Sequence, residues 1–340
     1  MRNYAKRCSK ITPHSSLLIP NYTDSCFTLK MIYNHSMFYI GYNTNGLPKH
    51  SLEESLELAA QNGFAGLGLT VDYGLLQPGA EETPEQIQTL RKWKSERGFR
   101  FVLETGARFL LNPEVKHEPT LISPSVVERF QRVEFYKRVI DTTAQIGADC
   151  VSIWSGRCPD GSGRTASTID APGAFLFWYL IEGLTQTLDY AAEKGVTVAF
   201  EPEPGMFISN MREFQTLLEY LDGDKRLKLT IDVGHLVCNG EPVRQTILQW
   251  KDRLVNVHLE DMKRGEHKHL PFGQGNVDVK EALDALREAN YNYGVYVELS
   301  RESPQAGKRG WTNLTTPEEK AAFEDEARAL IESAQALKLG

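Results

Sequence analysis

The sequence has few cysteines, no excess of positive charge and no long apolar run. Its five cysteines are an odd number and none is spaced as CxxC. We therefore expect a reducing compartment, with neither a disulfide framework nor a cysteine zinc site. A net charge of -7 argues against a nucleic-acid binder that works through bulk positive charge. No apolar run approaches the roughly 18 to 20 residues of a membrane span. No glycine-rich dinucleotide fingerprint follows the first predicted strand, so we expect no NAD.

Residues 1–36 differ in composition from the rest of the chain. Asp24 is their single acid, they are rich in serine and threonine, and their basic residues are Arg2, Lys6, Arg7, Lys10 and Lys30. Such a composition is typical of an organelle transit peptide or of a disordered extension, with Met31 or Met37 as an alternative start. We leave this segment out of the fold argument and expect one domain over residues 37–340. We expect that domain in the cytoplasm unless the segment directs it to an organelle.

From Met37 onward, a strand followed by a helix recurs eight times. The predicted strands are Met37 to Asn43, Gly66 to Tyr73, Arg100 to Gly106, Asp149 to Ser155, Val196 to Glu201, Leu227 to Asp232, Leu254 to Asp261 and Gly294 to Ser300. The apolar spacing predicts helices over Ser51 to Asn62, Pro84 to Arg97, Ser125 to Ile146, Ala174 to Lys194, Met211 to Leu221, Pro242 to Asp252 and Val279 to Ala289. A capping box begins the last helix, which runs from Thr316 to Leu337.

Eight such units in roughly 300 residues predict a single α/β domain, a (β/α)8 or TIM barrel. A doubly wound open sheet is the alternative. Alternation along the strands favours the barrel: in strand seven, Val255, Val257 and Leu259 are apolar, whereas the other parity includes His258 and Glu260. We expect the apolar set to pack on outer helices and the other set to line the barrel interior.

Loop lengths also favour the barrel. Helix-to-strand connections are short, whereas the strand-to-helix connections after strands three, four, seven and eight are long: 107–124, 156–172, 262–278 and 301–317. Barrel active sites are built from the strand-to-helix loops. We predict that the first two of these loops help to close over the substrate.

Four side chains of metal-ligand type end four consecutive predicted strands: Glu201, Asp232, His258 and Glu298. In a barrel these strand ends converge on one rim. Three carboxylates and one imidazole suit manganese, magnesium, cobalt or zinc. The alternative is that each acid is solvated or ion-paired, but burial after an apolar run without a cation would be costly. We predict one divalent ion at these residues.

The strand-end motifs give the sequence a resemblance to a known family. They are Phe200-Glu201-Pro202-Glu203-Pro204, Ile231-Asp232-Val233-Gly234-His235, Val257-His258-Leu259-Glu260-Asp261 and Val297-Glu298-Leu299. Over about residues 37–337 the chain resembles the xylose-isomerase-like barrel superfamily of sugar phosphate isomerases and epimerases, which includes ketose 3-epimerases, hydroxypyruvate isomerase, inosose dehydratase and endonuclease IV. The resemblance implies the same four metal ligands, proton transfer by Glu201 and Glu298, and a substrate contact by His235.

Segment 267–275 adds a resemblance to endonuclease IV, which has an Asp-x-His pair followed by a similar glycine turn. With His235, the histidines at positions 267 and 269 could hold a second ion. The alternative, which we favour, is a loop in which one histidine touches substrate. Endonuclease IV also uses two histidines at earlier strand ends, where this chain has Glu104 and Trp154. We therefore expect neither a trinuclear cluster nor a nucleic-acid partner.

Several further side chains are candidates for substrate contacts. Trp154 either stacks on a sugar ring or belongs to the core. Glu203, two residues past a ligand, either supports the metal or reaches a substrate hydroxyl, and rim arginines can bind phosphate or carboxylate. The predicted substrate-binding residues are Glu104, Trp154, Glu203, Arg264, His267, His269 and Arg301.

These features predict a metal-dependent isomerase or epimerase of a sugar, sugar acid, cyclitol or their phosphates. In such enzymes a divalent ion stabilises the enediolate that forms when a carbon-bound proton is removed. The alternatives are a dehydratase in which the enediolate expels a β-hydroxyl, a phosphodiesterase of the endonuclease IV kind, and a sugar-binding barrel without turnover. The expected partner is a small sugar-like molecule rather than a membrane, and a homo-oligomer is compatible with the sequence.

Overall fold

Eight parallel strands close into a barrel in the computed structural model, which describes residues 38–48, 50–169, 174–270 and 272–299. The barrel strands are β1 Tyr39–Asn43, β2 Gly66–Thr70, β3 Arg100–Glu104, β4 Val151–Ile153, β5 Val198–Phe200, β6 Leu227–Asp232, β7 Leu254–Leu259 and β10 Gly294–Val297, and a separate hairpin consists of β8 Asp261–Lys263 and β9 Glu266–Leu270. β10 pairs with both β7 and β1 and thereby closes the ring. The predicted barrel is confirmed and the open sheet is excluded. The N-terminal extension, the predicted last helix and Arg301 lie outside the described residues.

Glycines and short polar side chains set the ends of the outer helices. In the described residues these helices are α1 Leu52–Gln61, α2 Thr83–Arg97, α3 Val126–Ile146, α4 Phe175–Lys194, α5 Met211–Tyr220, α6 Val233–Asn239, α7 Val243–Trp250 and α8 Val279–Glu288. Gly98, Gly147 and Gly195 take left-handed C-cap conformations, which glycine adopts without a steric penalty. None of the described helices combines the length and apolar character needed to cross a membrane.

The lower interior of the barrel, near the amino ends of the strands, is filled by a small apolar cluster separate from the core under the helices. Its members are Tyr39, Val102, Cys150, Ala199, Val255 and Tyr296. The predicted outward position is correct for Val257 and Leu259, which pack in the outer core, but wrong for Val255. The register between β6 and β7 shifts at Leu229, and a bulge of this kind changes the face to which neighbouring side chains point.

The connection after β7 contains structure that the sequence argument treated as a plain loop. β8 and β9 pair as an antiparallel hairpin, whose tight turn uses Gly265 at a φ of 74°. The Asp261 carboxylate accepts hydrogen bonds from the backbone N–H groups of Gly273, Gly275 and Val277, at 2.8, 2.7 and 2.9 Å. This carboxylate therefore fixes the rest of the connection against the hairpin.

Candidate active site

The four predicted metal ligands meet at the carboxyl ends of β5, β6, β7 and β10. His258 Nδ1 lies 2.8 Å from Glu298 Oε2 and 3.3 Å from Glu201 Oε1. Asp232 brings a carboxylate oxygen within 4.8 Å of ligand atoms of His258 and Glu298, and the same limit holds for Glu201, Asp232 and His235. Glu201, Asp232 and His258 are buried. Donor atoms from four strands thus face one small volume.

Burial and neighbouring charges shift the pKa values of the groups in this cluster. Burial raises the pKa of Asp232 well above its usual range, and Glu298 raises it further. Burial also raises the pKa of Glu201. Burial lowers the pKa of His258, but Glu104, Glu298 and Glu201 outweigh it and raise that pKa well above 6.5. Without another cation, a proton on His258 is what offsets the crowded acids.

The same donors fit a divalent cation. Asp232 Oδ2 is buried and has no hydrogen-bond partner among the described residues, although a buried carboxylate oxygen left unpaired costs free energy. Its other oxygen accepts from the backbone N–H of His235 at 3.1 Å and so caps α6. Three carboxylates and an imidazole are ligands for manganese, magnesium, cobalt or zinc.

Glu104 lies beneath the cluster and orients the imidazole. His258 Nε2 is 2.9 Å from Glu104 Oε1, and Asn256 donates to the same oxygen at 3.1 Å. A metal-bound histidine commonly donates its second ring N–H to a carboxylate, which fixes the tautomer. Glu104 also lines the cavity, so its position fits support of His258 as well as the predicted substrate contact.

A second group of histidines borders the cluster. His235 Nδ1 lies 3.5 Å from Glu201 Oε1, and His235 Nε2 lies 3.2 Å from His267 Nε2. Burial, followed by His267 and His269, lowers the pKa of His235 well below 6.5. Among the described residues, the groups able to hold a metal do not combine these three histidines. The second ion therefore stays the less favoured alternative.

The cluster opens into a cavity of about 800 Å³. Of the predicted substrate-binding residues, the lining includes Glu104, Trp154, Glu203, His267 and His269, together with the catalytic candidates Glu201, His235 and Glu298. Arg264 is not part of this wall: its guanidinium carbon lies 4.0 Å from the Cβ position of Gly240, at the end of α6. The turn of the hairpin carries Arg264 outward, so the structure does not bring it to the site.

Glu203 and Trp154 occupy defined places in the wall. Burial, then Glu201, raises the pKa of Glu203 to about 8. Trp154 is buried, and its ring lies 5.4 Å from the His117 ring in a T-shaped arrangement. Trp154 therefore packs in the wall and borders the cavity, and stacking on a sugar ring stays a prediction.

Sequence reasoning missed several residues of the wall. Asn45 donates to Glu298 Oε1 at 2.5 Å, and Asn43, Thr70 and His117 also line the cavity. Most lie at or just past the carboxyl ends of β1 to β3. Their position at a strand end was the available signal, but short polar residues after a strand are too common in loops to single out.

A fully buried arginine holds the wall formed by the loop after β3. Arg132, on α3, donates to the backbone carbonyls of Pro119, Thr105 and His117 at 2.6, 3.2 and 2.6 Å. Removing such a buried charge from its partners is costly. This part of the predicted closing loop is therefore well anchored, and closure over a substrate stays a prediction.

Taken together, the fold and site define a closed (β/α)8 barrel with a carboxylate and imidazole centre at its catalytic rim. A family model described as xylose isomerase-like TIM barrel matches residues 56–333. The chain belongs to this family, as the strand-end motifs indicated.

Relatives and solved structures give the same picture at low identity. The chain is 28% identical over 144 residues to an inosose dehydratase of Lacticaseibacillus casei, covering 37% of this chain and 48% of the relative. It therefore spans about half the length of that dehydratase. It is 23% identical over 258 residues to an L-ribulose-5-phosphate 3-epimerase of Escherichia coli K12, covering 74% and 83%. The crystal structure of IOLI protein with a binding zinc atom aligns at a TM-score of 0.62 and 16% identity, covering 88% and 96%; that likeness concerns the fold.

Proposed function

We propose that this protein is a divalent-metal-dependent epimerase or isomerase of a sugar, sugar acid, cyclitol or their phosphates. One observation carries the proposal: Glu201 and Glu298 stand on the two outer strands of the group β5-β6-β7-β10 and both reach His258 Nδ1. Two carboxylates that approach one centre from opposite sides can act on opposite faces of a substrate carbon. This is the arrangement that inversion by two proton carriers requires.

Glu201, Asp232, His258 and Glu298 would hold the ion. When bound, it would polarise a substrate carbonyl and so acidify the neighbouring C–H bond. The metal bound by the IOLI protein is zinc, which is consistent with a borderline ion at such donors. Glu104 would keep His258 in the orientation that turns Nδ1 toward the other ligands.

The protein's own groups would then move the proton. One of Glu201 and Glu298 takes it from the substrate carbon, leaving an enediolate, and the other returns a proton from the opposite face. Asn45, 2.5 Å from Glu298 Oε1, would fix the direction of that carboxylate. His235, beside Glu201, would bind a substrate oxygen, and Glu203 would hydrogen-bond to a substrate hydroxyl.

A dehydratase on the same scaffold is the second candidate. It is favoured by the match to an inosose dehydratase, which has a higher identity than the match to the epimerase, though over a shorter segment. The first step, removal of a carbon-bound proton, would be shared. The reactions diverge when the enediolate either regains a proton or expels the β-hydroxyl as water.

Solvent deuterium exchange tests both candidates. The protein, supplied with manganese, would be incubated in D2O with a panel of ketoses, ketose phosphates and inososes, and the products read by NMR and mass spectrometry. Deuterium incorporation without loss of water supports the epimerase or isomerase. Loss of water supports the dehydratase instead. Neither exchange nor elimination with any member of the panel, in protein shown to contain metal, would contradict both.

A further inference from the structure

Glu260 is a buried carboxylate for which the proposed proton transfer has no role. Its side chain is fully buried, and Oε1 has no hydrogen-bond partner among the described residues. It packs against α6 at Gly234, where a Cβ atom would lie 2.9 Å from both Cγ and Oε1 of Glu260. Any larger residue at position 234 would displace this carboxylate. The glycine of the Asp-Val-Gly-His motif thus makes room for a charge that is expensive to bury.

The partner of this carboxylate is His269, on the hairpin. Glu260 Oε2 contacts His269 Nδ1, and His269 lines the cavity. The hairpin gives the contact a rigid frame, because Asp261 pairs with Leu270 across it and anchors the following loop through its carboxylate. The pair therefore joins a strand end of the barrel to the wall of the substrate cavity.

The Glu260 carboxylate determines which ring nitrogen of His269 can accept a hydrogen bond from a ligand. A carboxylate can only accept hydrogen bonds, so the neutral imidazole beside it carries its proton on Nδ1 and leaves Nε2 as the acceptor. We propose that Glu260 is a positioning residue that holds His269 in this tautomer, so that Nε2 accepts a hydrogen bond from a substrate hydroxyl. The statement about the hydroxyl rests on the proposed function, whereas the statement about the tautomer does not.

Nitrogen-15 NMR of the histidine rings tests the tautomer directly. The labelled full-length protein, with diamagnetic zinc added, should show the resonances of an Nδ1–H ring that disappear in His269→Gln. In Glu260→Leu, which has a similar volume, those resonances should move to the Nε2–H pattern or to a mixture. Glu266→Gln removes an exposed carboxylate of the same hairpin and should leave the pattern of His269 unchanged. An Nδ1–H ring in Glu260→Leu would overturn the proposal.

Glu260→Gln provides a second test if Glu260→Leu does not fold. Its amide oxygen can still accept from Nδ1–H, so the tautomer should be retained. A neutral acceptor makes a weaker hydrogen bond than a carboxylate, so the Nδ1–H proton resonance should move upfield. An Nδ1–H resonance at the wild-type position in a folded Glu260→Gln protein would also overturn the proposal.

Kinetics test the hydroxyl contact. With whichever substrate the exchange panel identifies, Glu260→Leu should raise KM about tenfold, the scale of one lost hydrogen bond, with a smaller change in kcat. Its metal content should stay at the wild-type value. An unchanged KM would contradict the hydroxyl contact. If no substrate is turned over while Glu260→Leu still changes the tautomer, the proposed function fails and the positioning role of Glu260 stands.

Discussion

The two ends of this barrel use the same kinds of side chain for opposite purposes. At the amino ends of the strands, Tyr39 donates to Asp149 at 2.6 Å, Arg100 binds the same carboxylate at 2.6 Å, and the hydroxyls of Tyr39 and Tyr296 are 2.8 Å apart. At the carboxyl ends, acids crowd one another, and Asp232 Oδ2 has no hydrogen-bond partner among the described residues. Both oxygens of Asp149 therefore have hydrogen-bond partners, whereas Asp232 Oδ2 has none among the described residues.

This difference favours the carboxyl ends of the strands as the place where a ligand binds. A buried polar atom is normally satisfied by the protein itself, because leaving it unpaired costs free energy. Strained or unsatisfied groups are retained where function requires them. The upper acids therefore fit the proposed metal and substrate site, whereas the lower network fits a role in stability.

The largest expected effect comes from removing the unsatisfied acid. Protein purified without chelator should contain about one divalent ion per chain, and Asp232→Ala should lose most of it. Turnover should fall by roughly a thousandfold, since a catalytic cation contributes several kcal/mol. Elemental analysis and a rate assay measure both. Asp149→Ala, the same substitution at the lower end, should keep its metal, and an unchanged metal content in Asp232→Ala would refute the assignment.

Glu298→Gln should separate the ligand from the proton carrier. Glutamine keeps the shape and one oxygen ligand but removes the base, so appreciable metal should remain while turnover falls by at least roughly a hundredfold. Metal content and kcat are compared in the same preparation. His235→Asn is the companion variant: metal content near wild type with lower activity is expected. Release of a second equivalent of metal from His235→Asn would instead support the multinuclear alternative.

The lower network should matter to stability and not to chemistry. Asp149→Ala leaves the Tyr39 hydroxyl and the partly exposed Arg100 without their partner, so the free energy of unfolding should fall by roughly 2 to 3 kcal/mol. Urea unfolding measures it. The exposed pair Arg164 and Asp160 provides the control, because Asp160→Ala should leave the unfolding free energy unchanged within error. Equal losses in both variants would contradict the distinction between the buried network and the surface.

The smallest effect concerns the pH dependence of stability at the upper end. Burial lowers the pKa of His117 from 6.5 to about 4, against a hydrogen bond from Nδ1 to the Gly106 carbonyl. Between these pH values the unfolded chain binds a proton that the folded protein does not, so stability falls as pH falls from 6.5 to 4. The loss should be roughly 1 to 2 kcal/mol, discounted because the side chain is only partly buried. His117→Asn, which tolerates the positive φ of 70°, should show a flatter profile in urea unfolding; an equally steep profile would contradict the assignment.

Local patterns were sufficient for much of the fold. Apolar periodicity and the glycines at positions 98, 147 and 195 predicted the helix ends, because capping depends on residues a few positions apart. Each of Glu201, Asp232 and Glu298 ends an apolar strand. Because parallel strand ends meet at one rim, this position predicted that the three acids share one site. The prediction that the apolar side chains of β7 point outward was correct for Val257 and wrong for Val255. A bulge depends on the register of the neighbouring strand, which the sequence of one strand does not contain.

Contacts between distant residues could not be predicted in this way. Glu104 lies 154 positions from His258 and was assigned to substrate alone. Asn45 and Glu298 are 253 positions apart, and neither the hairpin pair of Glu260 and His269 nor the outward course of Arg264 has a local signature. Each of these depends on which strands the closed barrel makes neighbours.

By itself, the sequence determined the alternation of strands and helices, the end of the barrel that carries the acids, and the donor types of the candidate metal site. Those properties follow from hydrophobic periodicity and from the order of residues within single segments. Only the tertiary structure decided which carboxylate holds His258, which oxygen of Asp232 stays unpaired, and which nitrogen of His269 contacts Glu260. Those outcomes are decided by the distances and angles at which barrel closure sets side chains from different strands, because hydrogen bonds form only within a narrow range of both.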